Sequence, residues 1–167
     1  MSFSVWVTGP EIDAAEAVAD ELARGLAARD VAVEVLDRRT PGIDALAGDD
    51  IAARAAFVAR ALAGHGVATI VALPVPQRAA RDAVRARLAA MLEVYVRSGD
   101  EAPTAAYEPP DRAEVEGTVP VDSPAALAAR TLRTLEVLAH LEHREDPGYS
   151  DEDERQVIRR LKAYGYL

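Results

Sequence analysis

The chain is 167 residues long, half of it apolar, with a formal charge of −9 and no cysteine. That size suits one compact domain with a single core, and the missing thiols exclude disulfides, thiolate metal sites and cysteine nucleophiles. The acidic balance argues against sequence-independent binding to nucleic acid, and no segment nears the roughly 18 apolar residues of a membrane helix. Acid is concentrated around residues 100–116 and from Glu142 to Glu154, and the basic charge is almost all arginine. With no basic region leading into an apolar run at the start, the chain reads as cytoplasmic and prokaryotic.

Strand and helix patterns alternate along the chain. Val5–Val7 is a short apolar run ending in Thr8-Gly9, and Asp13–Arg29 is predicted helical with Val18, Leu22 and Leu26 on one stripe. The Asp13/Glu16 spacing predicts a capping box. Val31–Leu36 reads as a strand with Asp37 at its carboxyl end, then a loop over Arg38–Gly48 and a helix over Asp50–Ala63 stopped by Gly64 and Gly66. Val67–Leu73 is the most hydrophobic strand. A helix follows over Arg78–Met91, a strand over Leu92–Val96, and a polar, proline-rich stretch over Arg97–Glu116. Thr118–Val121 is the candidate fifth strand, and Ser123-Pro124 opens a helix to about Glu142 as N-cap and first helical proline. Residues 1–143 form the main domain. Residues 144–167 form a linker and an amphipathic helix over Ser150–Ala163, striped with Val157, Ile158, Leu161 and Tyr164, suited either to its own domain or to a partner. Alternation on this scale predicts a three-layer α/β domain: about five parallel strands with helices on both faces, plus the short C-terminal helix.

The segment Ser4-Val5-Trp6-Val7-Thr8-Gly9 reads as the buried first strand and turn of a nucleotide-binding fold. A phosphate loop needs glycines for backbone approach, a lysine for the β/γ-phosphates and Ser/Thr for magnesium. Here Pro10-Glu11-Ile12-Asp13-Ala14-Ala15-Glu16 follows Gly9, and the chain's lysine is Lys162, close to the end.

Several stretches in order are similar to adenylylsulfate kinase, the enzyme that phosphorylates the ribose 3′-hydroxyl of adenylylsulfate from ATP. They are Val5–Gly9, Val33-Glu34-Val35-Leu36-Asp37, Phe57–Leu62 with Gly66-Val67, Pro76–Arg85, Glu93-Val94-Tyr95-Val96 and Tyr107-Glu108-Pro109-Pro110. The resemblance covers roughly residues 4–142 and implies a P-loop kinase fold. Its departures fall on function. Ala15 and Glu16 stand at the Lys-Ser/Thr of the phosphate loop, and Arg39 stands at the family's second acidic residue after strand two. Ile51 and Ala53 replace an asparagine and an arginine, leaving Arg54, while Val75 and Gln77 replace a serine and a tyrosine. The basic lid expected between Val96 and Tyr107 is missing. Without it water is not excluded and the transferring phosphoryl group lacks cationic support.

The candidate ligand-binding residues are Gly9, Asp37, Arg39, Arg54, Arg78, Arg81 and Tyr107, with no catalytic residue and no metal ligand assigned. Gly9 suits a tight turn or close approach to a ligand. Asp37 suits a cation or ribose, or else an arginine partner. Arg39, Arg54, Arg78 and Arg81 suit an anion pocket, because guanidinium forks match phosphate and sulfate, with ion pairing to nearby carboxylates as the alternative. Tyr107 suits base stacking or ordinary packing. Trp6 reads as core, His65 as a helix-end residue, and His140 with His143 as at most a weak metal pair. No cofactor is expected. The expected role is a non-catalytic adenylylsulfate kinase-like pseudoenzyme serving as a structural or interaction module, with the C-terminal helix engaging a partner or a second copy. The alternative is a sensor of an adenine nucleotide or a sulfated or phosphorylated metabolite, and a weak active kinase is the remaining reading.

Overall fold

The computed structural model describes residues 2–46, 50–99, 106–138, 140–141 and 151–166. Among them, β1 (Ser4–Thr8), β2 (Val33–Asp37), β3 (Ala68–Ala72), β4 (Met91–Ser98) and β5 (Val115–Val119) form a parallel sheet in the order β2-β3-β1-β4-β5. The helices are α1 (Ile12–Ala27), α2 (Ile51–Ala63), α3 (Arg78–Arg85), α4 (Pro124–Val137) and α5 (Asp151–Ala163), with a single 3-10 turn at Ile43–Leu46. This is the three-layer α/β arrangement expected from the alternation.

β1 and β3 are buried on both faces, as parallel strands covered by helices must be. Period-two alternation then splits the core in two. Val5, Val7, Ile70, Leu92 and Val94 meet α1 and α4 on one side. Trp6, Val71, Leu36 and Val84 meet α2 and α3 on the other, so Trp6 is core. The stripe of α1, Val18, Leu22 and Leu26, is fully buried.

Three helices end the same way. The amides of Val31, Val67 and Tyr166 bond the carbonyls of Leu26, Leu62 and Leu161, five residues back, the 6→1 bond of a Schellman turn. That turn needs a left-handed residue, supplied by Asp30 (φ 58), Gly66 (φ 77) and Gly165 (φ 78). At the other end of α4, Ser123 Oγ accepts from the Ala126 amide at 3.1 Å, with Pro124 at the first position, as the sequence predicts.

Four expectations are corrected. α1 begins at Ile12 with Glu11 as its N-cap, and no side-chain capping bond forms, so the Asp13/Glu16 capping box is absent. α3 stops at Arg85 rather than Met91: Leu88 and Met91 keep their apolar contacts from a turn and from the start of β4. β5 is Val115–Val119, three residues earlier than Thr118–Val121. α4 ends at Val137, short of Glu142. The linker at 145–149 and His143 lie outside the described residues.

The C-terminal helix packs on its own domain. Val157 and Leu161 are buried, Arg160 lies 3.6 Å from Glu116, and the Tyr166 hydroxyl donates to Glu114 at 2.6 Å. No helix of the described residues is long and apolar enough to cross a membrane.

Candidate functional site

In an open parallel sheet, ligands bind beyond the carboxyl ends of the strands. Two clusters of side chains occupy that edge here.

The first lies beyond β2, against α1. Glu16, on the first turns of α1 and buried, accepts from the Arg38 backbone amide at 3.3 Å. The Arg38 guanidinium then grips both carboxylate oxygens at 2.8 Å and also pairs with Asp13. Beside it, Asp37 is buried and takes the Arg39 amide at 2.7 Å and the Arg39 Nε at 2.9 Å, while Arg39 also forks onto Asp20. The Arg38 hydrogen bonds hold the Glu16 carboxyl below its ordinary value of 4.5, against the upward push of burial. A carboxylate whose folded value is depressed adds stability that is present above its unfolded value and lost as the pH falls below it. Glu16→Gln is therefore expected to flatten the loss of thermal stability that wild type shows between about pH 5 and pH 3, as read by melting temperature against pH. Equal slopes for the two proteins would remove the Glu16–Arg38 pair from the stability of this edge.

The second cluster lies beyond β1 and β4. Thr8, the last residue of β1, shares a 2.7 Å hydrogen bond with the Tyr107 hydroxyl. The Tyr107 ring stacks on Tyr95, with centroids 6.0 Å apart and planes 9° from parallel. Arg81 lies 5.0 Å from the Tyr107 centroid and Arg97 5.5 Å from the Tyr95 centroid, giving a column of two stacked rings with an arginine against each. Burial pushes the Tyr107 phenol up to about 12, so it stays protonated. Ser98 Oγ donates to Glu11 at 2.7 Å across the turn between β1 and α1. That turn is only Gly9, Pro10 and Glu11 long, and a β-carbon on Gly9 would lie 2.3 Å from the Val96 carbonyl oxygen. Gly9 is thus required for close backbone packing.

Below this column runs a buried ionic network. Arg81 Nε bonds Glu93 at 3.1 Å, and its other nitrogens bond the carbonyls of Val75 (2.7 Å), Pro76 (3.1 Å) and Glu108. Arg85 bridges Glu93 at 3.1 Å and Glu114 at 2.7 Å. Glu114 accepts in addition from the Glu93 amide and the Tyr166 hydroxyl. Burial pushes the Glu93 carboxyl up, and Arg85 and Arg81 pull it back.

The structure brings Gly9, Arg78, Arg81 and Tyr107 to one neighbourhood, joined through Thr8 and through Glu108, whose side chain takes the Arg78 amide at 2.8 Å. It places Asp37 and Arg39 apart from them on the α1 side. Arg54, on α2, reaches the Ala45 carbonyl at 3.3 Å. The Arg78 side chain pairs with Asp111, both of them exposed. Each of the four arginines thus has a protein partner in this state. Sequence reading placed Arg38 beside Arg39 at this edge but gave no site role to Glu93, Glu114 or Tyr95. The signal for Glu93 is legible: a carboxylate inside an apolar strand, with Arg81 and Arg85 one helical turn apart on the preceding helix. Among the described residues no group of three or more His, Asp or Glu is placed to hold a metal ion.

Comparison with known proteins agrees with this architecture. The family model for adenylylsulphate kinase matches residues 1–107. No match was found among curated proteins. Among solved structures, an alanine mutant of the Mycobacterium tuberculosis APS kinase aligns with a TM-score of 0.66 at 24% identity, covering 81% of this chain and 97% of that one. The same kinase in complex with AMPPNP and APS gives a TM-score of 0.66 at 23% identity over 81% and 98%. The hexameric APS kinase from Thiobacillus denitrificans gives 0.54 at 22% identity, covering all of this chain but 30% of that one. At such identities the structural likeness is one of fold. The family model spans well over half of the sequence, and the chain belongs to the adenylylsulphate kinase family.

Proposed function

We propose that this chain is a non-catalytic member of its family that serves as a structural or protein-interaction module. The observation that carries the reading is the Glu16 carboxylate, gripped by Arg38 on both oxygens, at the position where the resembled motif has Ser/Thr after its lysine. A triphosphate placed there would meet a fixed negative charge, with no lysine nearer than Lys162 in the last turn of α5. Like charges held close in a half-buried site cost several kcal/mol. Only Gly9, Pro10 and Glu11 separate β1 from α1, too few residues to wrap a phosphate as a long glycine-rich loop does. Tyr107, stacked on Tyr95 and tied to Thr8, occupies the same edge beyond β1 and β4.

One observation favours the sensor reading. The Arg78–Asp111 pair is exposed, and surface ion pairs contribute only about 0–1 kcal/mol, so an anion could displace Asp111 at little cost. Calorimetric titration with ATP, ADP and adenylylsulfate, each with magnesium, separates the two. The module reading expects no saturable heat from any of them. Saturable binding of one adenylyl compound, abolished by Arg78→Ala, would replace it with the sensor.

A further inference from the structure

At the opposite, amino-terminal edge of the sheet, a cleft of about 310 Å³ lies between the outer stripe of α2 and the turn after α3, and a second cavity of about 150 Å³ adjoins it. Arg60 and Arg87 line both. Many arginines of this acidic protein pair with carboxylates, at Glu16, Asp20, Glu93, Asp111 and Glu114, whereas Arg60 and Arg87 have no carboxylate, carbonyl or ring partner among the described residues. No acidic residue lines either cavity. Phe57 forms one wall of the larger cleft and is 68% exposed, so its ring face is open to a ligand there. Ser4, the first residue of β1, lies in the floor of the smaller cavity. It is 3% exposed and its hydroxyl has no hydrogen-bond partner among the described residues.

We infer that this cleft is a second ligand site, taking a small organic anion with a flat apolar body, a phosphate ester or carboxylate of an aromatic group. The arginine forks supply charge-assisted bonds to the anionic end, Phe57 supplies a stacking face, and Ser4 offers a donor on the floor. The larger cavity matches the lower end of the range for small-molecule sites. Because the cleft is at the far edge from Glu16 and Tyr107, it stands or falls independently of the proposed non-catalytic role.

The test uses phenyl phosphate, benzoate and inorganic phosphate as probes, with binding read by calorimetry and melting temperature. Phenyl phosphate is expected to bind saturably and better than inorganic phosphate. Phe57→Ala is expected to abolish that preference, and Arg60→Ala/Arg87→Ala to weaken phenyl phosphate by about tenfold or more. Arg78→Ala, at the other edge, is expected to leave it unchanged. Should the double variant melt early, Arg60→Gln alone carries the comparison. Absence of saturable binding, or binding that ignores Arg60 and Arg87, overturns the inference. So does a wild-type dimer that Phe57→Ser dissociates in sedimentation, since the face would then be an interface between copies.

Discussion

Glu93→Ala is expected to destabilise the protein by about 3–5 kcal/mol, the usual cost of breaking a buried ion pair from one side. For a domain of this size that is a fall in melting temperature of about 6–20 °C. The side chains of Arg81 and Glu93 are 1% and 3% exposed, so water cannot replace the lost partner. Arg81 cannot swing away either, because the carbonyls of Val75, Pro76 and Glu108 hold its other nitrogens. The guanidinium charge is left buried and fixed. Arg85 keeps Glu114, which confines the damage to Arg81. Replacing both ends, as Arg81→Met/Glu93→Leu, should recover much of the loss, since an apolar pair of similar volume leaves no orphaned charge. A Glu93→Ala melt within about 2 °C of wild type would mean the network holds nothing together.

Gly9→Ala is expected to cost about 1–3 kcal/mol, the range for overpacking a close contact. The added carbon would stand 2.3 Å from the Val96 carbonyl oxygen, a backbone atom that cannot rotate out of the way. Relief requires β1 and β4 to part at the end where Thr8 and Tyr95 are paired. Gly64→Ala is the control. Gly64 has helical angles, φ −61 and ψ −19, and its nearest contact is the Ala61 carbonyl oxygen at 3.3 Å, so the change should lie within about 0.5 kcal/mol of wild type. Equal melting temperatures for the two variants would show that the turn after β1 has room to open, and with it room for a ligand.

How far the sequence reaches depends on whether a feature is decided locally. The apolar run at Val67–Leu73, the α1 stripe and the Ser123-Pro124 start are local, and each sits where periodicity and capping chemistry put it. β5 was obscured by its charges. Glu114 and Glu116 make 114–119 look like loop until Arg85, Arg97 and Arg160 arrive from other elements to pair them. The capping box failed for a similar reason. Arg38, 22 residues on, takes Glu16, and no local window contains both. The arginine pocket is the largest difference between residue types and geometry. Arginine identity suits an anion, but Asp20, Glu93 and Asp111 are brought to those arginines only by the fold.

The same arrangement underlies the functional reading: an edge that in a working phosphate loop would be open amide and lysine is here carboxylate, arginine and stacked tyrosine. The most direct test is turnover. Purified protein is incubated with ATP, adenylylsulfate and magnesium, and the nucleotide products are resolved by anion-exchange chromatography. The account predicts no phosphoadenylylsulfate above the protein-free control at any protein concentration. Product that grows in proportion to protein, and that vanishes with Arg81→Ala, would contradict it.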